Sequence, residues 1–265
     1  MNIRERLYTI PDLALAKRLQ MMSATQLDDY VELLNSFVEK FPAEETELKN
    51  ALETGNIKSV IKRLTGIREL LIGIYADKLA EECWERLNSF EQERPERIAA
   101  YVSFLLSMLA ALSIDIQVAF YREETEETEE ASDVNPESPQ NPADGAAAVK
   151  NILAVDDDTY SLNTFKAALK DVSCKVIGVT SGAGALNILN NLKPDLFVLD
   201  IEMPEMNGIE LAHELKKLGH NAPIVFITGN ATRDYVLKCM QAGASEFIVK
   251  PISPLNVVSR IEKYL

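Results

Sequence analysis

The sequence predicts a two-domain α + α/β chain: an antiparallel helical bundle followed by a doubly wound, five-stranded parallel sheet. Three observations lead there. From Leu7 to about Phe120 proline is sparse and apolar residues recur at helical spacing. From Glu123 to Ala148 the composition turns to Glu, Thr, Ser, Pro, Asn and Ala. From Lys150 onward, five short apolar runs alternate with five amphipathic stretches, which is the pattern of a parallel sheet with crossover helices. The domains are therefore expected at 1–122, 123–149 as an acidic linker, and 150–265.

In the first domain, Leu13, Leu15, Ala16, Leu19 and Met22 form one stripe. Ser23-Ala24-Thr25-Gln26 reads as a helix start, with Ser23 as cap and Gln26 as capping-box partner. The face that follows is Leu27, Tyr30, Val31, Leu34, Phe37, Val38 and Phe41, with Pro42 expected to end it. A second helix is expected over Ala43–Glu53, stopped by Thr54-Gly55-Asn56, and a third from Ile57 through Val60, Leu64, Ile67 and Leu71. Ala76–Phe90 is helical again, with Leu79, Ala80, Cys83, Trp84 and Leu87 inward, and Pro95 opens a last long helix carrying Ile98, Tyr101, Val102, Leu105, Leu109 and Leu112. Short links between such helices make an antiparallel bundle with an ordinary apolar core.

Within it, Lys62-Arg63-Leu64-Thr65-Gly66, with Gly73 and Ala76-Asp77-Lys78-Leu79-Ala80 behind, resembles a histidine-phosphotransfer (HPt) domain, a family with a phosphorylatable His followed by x-Leu-Lys-Gly on an exposed helix face. Here Lys62 stands at the His position and Thr65 at the Lys position, while Leu64 and Gly66 match. The only histidines, His213 and His220, lie in the other half. An ammonium offers no imidazole lone pair, so the resemblance implies a degenerate bundle that cannot relay phosphate through histidine. An unrelated helical bundle fits the same periodicity.

The block from Glu123 to Glu130 repels itself and can extend the preceding helix before fraying, and Asn135-Pro136, Ser138-Pro139 and Asn141-Pro142 predict disorder. A flexible chain of this length spans on the order of 30 Å as a passive tether; an acidic decoy touching another domain is the alternative.

In the second domain, Asn151–Val155 is a strand ending in Asp156-Asp157-Asp158, followed by a helix over Tyr160–Leu169. Val176, Ile177 and Val179 form a second strand, Ala183–Leu192 a second helix, and Leu196–Leu199 a third strand, apolar throughout and so buried on both faces, which delivers Asp200 to its carboxyl end. Pro204 and Gly208 turn the chain into a helix over Ile209–Leu218. Ile224–Ile227 then runs into Thr228, a helix spans Arg233–Ala242, Glu246–Val249 leads to Lys250-Pro251, and a closing helix covers Pro254–Tyr264. Ligands of an open α/β sheet bind at the carboxyl ends of the strands. Two strand ends supply Asp156, Asp157 and Asp200, like charges that are costly together unless a cation neutralises them. An oxygen-only donor set with room for water suits Mg²⁺. A carboxylate beside that metal can attack a phosphoryl group, and Thr228 and Lys250 are well typed to bind the added oxygens. Taken singly, the aspartates also read as a helix cap, Thr228 as a strand-end hydroxyl, Lys250 as a solvated cation and Phe247 as core. The four elements in this order carry the reading.

These residues closely resemble the response-regulator receiver family, over nearly all of Lys150–Leu265. The resemblance implies a flavodoxin-like fold with Asp200 as phosphoacceptor. It implies Mg²⁺ held directly by Asp157, Asp200 and the Glu202 carbonyl, with Asp156 acting through water. It further implies that Thr228 follows the phosphoryl group, that Phe247 is the aromatic rotamer switch, and that Lys250 bridges to the phosphate. Where the family often has Tyr, Phe247 lacks the hydroxyl. The implied phosphodonor is a sensor histidine kinase or a phosphotransfer protein, and self-catalysed phosphorylation and dephosphorylation are the only turnover.

The whole chain points to a response regulator that signals through a protein partner. A net charge of −14 argues against nucleic acid as the main partner, and no helix-turn-helix pattern is evident. Two rival readings are a constitutive adaptor with uncoupled domains and a transcriptional regulator whose first half binds DNA. No apolar run is expected to approach membrane length and no secretory leader is evident. Cys83, Cys174 and Cys239 are odd in number and widely spaced, as expected of thiols in the cytoplasm.

Overall fold

The computed structural model describes residues 3–13, 18–87, 90–129 and 149–265. Residues 130–148, most of the expected linker, lie outside the described residues, as do Leu15 and Ala16 of the first apolar stripe. The chain divides into two compact units, one built on the helices up to Glu127 and the other on the sheet.

The helical unit contains α1 (Ile3–Leu7), α2 (Arg18–Met21), α3 (Ala24–Glu53), α4 (Ile57–Gly73), α5 (Asp77–Leu87) and α6 (Pro95–Glu129). The capping box is present: the Gln26 amide donates to Ser23 Oγ and the Ser23 amide to Gln26 Oε1. Long-range contacts give the order of packing. Arg63 of α4 bridges Glu44 and Glu47 of α3, Arg68 of α4 lies over the ring of Trp84 in α5, and Tyr101 of α6 donates its hydroxyl to the Glu82 carbonyl of α5. The Arg63 pairs tie the first half of α4 to the second half of α3, and Tyr30 near the start of α3 donates its hydroxyl to the Ile74 carbonyl just past the end of α4, so α3 and α4 run antiparallel.

Three expectations about this unit need correction. Pro42 does not end a helix; it lies inside α3, which runs 30 residues in all. Proline removes one backbone bond, but the buried stripe runs on across it through Phe37, Phe41, Leu48 and Ala51, and the Arg63 ion pairs fasten the far side to α4. Tertiary packing outweighs the missing bond. Trp84 is not inward: it is 47% exposed, stacked under the Arg68 guanidinium 4.7 Å from the ring centroid. A membrane-length stretch also exists, because Pro95–Tyr121 of α6 contains an 18-residue window of mean hydropathy 1.8. Of that window, 67% is buried inside the structure, as in the core helix of a bundle.

The second unit has a parallel sheet in the order β2-β1-β3-β4-β5. Its strands are β1 (Lys150–Val155), β2 (Cys174–Val179), β3 (Leu196–Asp200), β4 (Ile224–Thr228) and β5 (Ala244–Val249). Between them run α7 (Thr159–Ala168), α8 (Gly182–Ile188), α9 (Gly208–Lys217) and α10 (Arg233–Gln241), and α11 (Pro254–Ile261) closes the fold with a 3-10 turn at Glu262–Tyr264. Strands β3 and β4 are buried at every residue, as continuous apolar runs between two helical layers must be. On one face Ile152, Ala154, Leu196, Val198, Val225, Ile227 and Ile248 meet Leu162 and Phe165 of α7 and Val257 and Ile261 of α11. The alternate residues, including Leu153, Phe197, Leu199 and Phe226, point to the other face. Two helices stop earlier than expected. α8 ends at Ile188, where Asn191 donates to the Ile188 carbonyl and Asn190 to the Asn187 carbonyl, and α11 gives way to the 3-10 turn after Ile261.

Candidate functional site

The order of the sheet explains the site. With β1 and β3 adjacent, the residues that follow Val155 and end β3 meet at one edge of the crevice. Asp156, Asp157 and Asp200 each offer a carboxylate oxygen within 4.8 Å of the others. Asp156 and Asp200 are each only 1% exposed, while Asp157 faces solvent. Asp156 is fixed by its backbone amide on the Val179 carbonyl (3.2 Å) and by Oδ1, which accepts the Asp158 amide (2.9 Å). Asp158 in turn caps α7 by accepting the Tyr160 and Ser161 amides. The three consecutive aspartates therefore do different work: one buried, one open to the pocket mouth, one a helix cap.

Lys250 reaches this cluster from the end of β5. Its Nζ lies 2.9 Å from Asp200 Oδ2 and 3.6 Å from Asp156 Oδ2. Its backbone amide donates to the Thr228 carbonyl at 2.8 Å, which ties the β5 exit to the end of β4. Burial works against its ammonium, but the two carboxylates outweigh that and hold its pKa above the ordinary lysine value. Burial also raises Asp200, to about 6; the Lys250 hydrogen bond opposes the rise and the Asp156 charge adds to it. Asp156 is raised mainly by burial as well.

One lysine does not satisfy two buried carboxylates. Asp156 Oδ2 and Asp200 Oδ1 are buried without a hydrogen-bond partner. Buried anionic oxygens without a hydrogen bond, beside an exposed third carboxylate, fit a hard cation with oxygen ligands and retained waters.

The other expected residues are present with particular orientations. Glu202 lies two residues past β3, and its backbone favours the ionised Asp200 carboxylate, opposing the rise caused by burial. Thr228 is 1% exposed at the end of β4, but its hydroxyl is engaged locally, donating to the Asn230 carbonyl and accepting the Asn230 amide, both at 2.9 Å. Phe247 is 3% exposed and packs on Phe226 with ring centroids 6.3 Å apart, so its ring is turned inward. His213 is exposed and His220 packs edge-on to Phe197, and neither reaches the aspartates.

Two contributors were not identified from the residue pattern. Asn230 holds the Thr228 hydroxyl, and a strand-end Thr with Asn two positions later is the only available signal. By pattern Gly208 is a turn residue, yet a Cβ there would lie 2.1 Å from the Asp200 carbonyl oxygen. The start of α9 packs directly on the backbone of the central aspartate, and only glycine allows it.

Residues 152–262 match the family described as response regulator receiver domain. The chemotaxis protein CheY of Thermotoga maritima is 36% identical over 115 residues, which are 43% of this chain and 96% of that protein. The response regulator protein TmoT of Ectopseudomonas mendocina is 31% identical over 114 residues, 43% of this chain, and the match spans only 52% of TmoT. A solved CheY-like receiver domain protein from Methanospirillum hungatei JF-1 is 30% identical, with a TM-score of 0.41, over 44% of this chain and 93% of that one. Through its C-terminal half, the chain belongs to the response regulator receiver family.

Proposed function

We propose that this protein is a phosphorelay response regulator in which Asp200 is the phosphoacceptor and the phosphorylated state is read by a protein partner. The observation that carries this reading is the pairing of Lys250 Nζ, at 2.9 Å, with one oxygen of the buried Asp200 whose other oxygen accepts no hydrogen bond. A carboxylate held by a cation on one side and free on the other is poised as a nucleophile.

In this reading Asp157, Asp200 and the Glu202 carbonyl would hold Mg²⁺, with Asp156 acting through water. The chemistry that a bound Mg²⁺ supplies is neutralisation of the carboxylate cluster and of the phosphoryl oxygens. An Asp200 oxygen forms the new O–P bond while the P–N bond of the phosphohistidine donor breaks, and the donor imidazole keeps the electron pair. Lys250 then exchanges a carboxylate oxygen for a phosphoryl oxygen. The Thr228 hydroxyl leaves Asn230 to donate to the phosphoryl group, which pulls the β4–α10 loop inward and opens space for Phe247 to change rotamer. These two movements place the output on the face formed by α10 and α11. The donor is a sensor histidine kinase or a phosphotransfer protein, and turnover is limited to the protein's own aspartyl phosphate.

The preceding residues, 1–122, we read as an HPt-like bundle without its histidine, joined by an acidic linker (123–149) to the receiver (150–265). Support comes from α4, where Lys62 and Gly66 are exposed one turn apart and Leu64 between them is buried. The free cysteines Cys83, Cys174 and Cys239 support a cytoplasmic location.

Calorimetric titration with beryllofluoride, a phosphoryl mimic, tests the acceptor role. Binding that requires Mg²⁺ and disappears in Asp200→Asn is expected; equal binding by Asp200→Asn would exclude Asp200 as the acceptor.

A further inference from the structure

The chain that leads to Lys250 contains an irregularity. Ile224 of β4 pairs with Ala244 of β5, but Val225 pairs with Glu246, so Ser245 is an extra residue in the edge strand. From there the pairing is regular, Phe226 with Phe247 and Thr228 with Val249. Side chains alternate along a strand, so a one-residue slip reverses the face of every residue beyond it. Without the bulge Phe247 would turn away from Phe226, and Lys250 would leave the strand end one position out of phase with Asp200.

An edge strand has one neighbour only, and a bulge in it can slide unless something holds it. Here the holding groups come from the end of the chain. The Tyr264 hydroxyl donates to the Ser245 carbonyl at 3.1 Å. The Ile224 amide donates to Ser245 Oγ at 3.4 Å. The next side chain, Glu246, accepts the adjacent Phe247 amide at 3.1 Å, Arg260 of α11 at 3.0 Å, and Lys263 of the 3-10 turn. The Glu246 and Arg260 side chains are mostly shielded, 12% and 15% exposed, so the pair is screened less than a surface ion pair.

We propose that Glu246, Arg260 and Tyr264 form a register lock: they fix the bulge at Ser245 and thereby the phase at which β5 presents Phe247 and Lys250 to the aspartate cluster. They are positioning residues, acting through Lys250. This assignment rests on the reading of Asp200 as acceptor for its consequence, and on the strand geometry alone for its existence.

The test uses the full chain with Glu246→Gln and, because it removes a single hydroxyl, Tyr264→Phe. Two readouts are taken. Titrations with Mg²⁺ alone and with Mg²⁺ plus beryllofluoride should show Mg²⁺ affinity kept and beryllofluoride affinity lowered about tenfold, as expected when a contacting group is displaced by a fraction of its hydrogen-bond length. Equal losses for both would mean a general structural defect and would overturn the lock. Amide hydrogen exchange needs no phosphoryl chemistry: the Lys250 and Phe247 amides should exchange faster in both variants while the β1 and β3 amides stay protected. Unchanged protection at Lys250 would overturn the register lock. A wild-type protein that binds no beryllofluoride would instead sink the acceptor reading and leave the exchange measurement to decide the lock.

Discussion

Lys250 Nζ lies 2.9 Å from Asp200 Oδ2, and this contact joins a cation delivered by the edge strand to a carboxylate delivered by the central one. It does not neutralise the site, because Asp156 is buried beside Asp200 and each keeps one oxygen without a hydrogen bond. The receiver half therefore carries a local cost that a metal ion would relieve.

That cost depends on pH in a definite direction. Burial raises the Asp200 carboxyl from its ordinary 3.8 to about 6, so the folded protein binds this proton more tightly than the unfolded chain does. The contribution favours folding below about pH 4, is lost as pH rises toward about 6, and is absent above it. In chelator at pH 7, Asp200→Asn should therefore be more stable than wild type, on the order of 2 kcal/mol. The advantage should shrink toward zero as pH falls to about 4. Mg²⁺ should raise the melting temperature of wild type at pH 7 and have much less effect on Asp200→Asn. Thermal melts of both proteins across this range, with and without Mg²⁺, check it; equal Mg²⁺ responses would contradict the cation assignment.

Two glycines should behave oppositely. A Cβ at Gly208 would sit 2.1 Å from the Asp200 carbonyl oxygen, whereas one at Gly66 meets nothing within 4 Å. Gly208→Ala should cost about 2–4 kcal/mol and weaken Mg²⁺ binding by moving the Asp200 backbone. Gly66→Ala, at an open helical position, should stabilise by about 0.5–1 kcal/mol. Urea denaturation of the two variants measures both signs.

Pro42 interrupts the hydrogen bonding of α3 without ending it. Pro42→Ala should restore the missing bond, and removing an interior helix proline should stabilise the bundle by about 1–3 kcal/mol. A lower melting temperature would show that the helix depends on a bend at this residue.

Much of the receiver was legible because its signals are local. Continuous apolar runs gave β3 and β4, and the polar residue closing each run (Asp200, Thr228 and, after β5, Lys250) marked the carboxyl ends where the site forms. The aspartate cluster followed from two strand ends that open on the same crevice. What stayed hidden depends on tertiary partners. Pro42 read as a stop because nothing local shows that Phe37, Phe41 and Leu48 keep one buried face across it. Trp84 read as inward because its periodicity matches the core, whereas Arg68 from the neighbouring helix holds it at the surface. The bulge at Ser245 was invisible for the same reason: Tyr264, which holds Ser245, and Arg260, which holds Glu246, come from elements much later in the chain.

The central claim is that Asp200 accepts a phosphoryl group. The most direct measurement is intact-mass spectrometry of the full chain after incubation with Mg²⁺ and a small phosphodonor such as acetyl phosphate, followed by borohydride reduction, which converts an aspartyl phosphate to homoserine with release of phosphate, and peptide mapping of the homoserine. The account predicts one phosphoryl group, located at Asp200, absent when Mg²⁺ is chelated and absent in Asp200→Asn. Undiminished phosphorylation of Asp200→Asn, or homoserine at another aspartate of the wild type in place of Asp200, would contradict it.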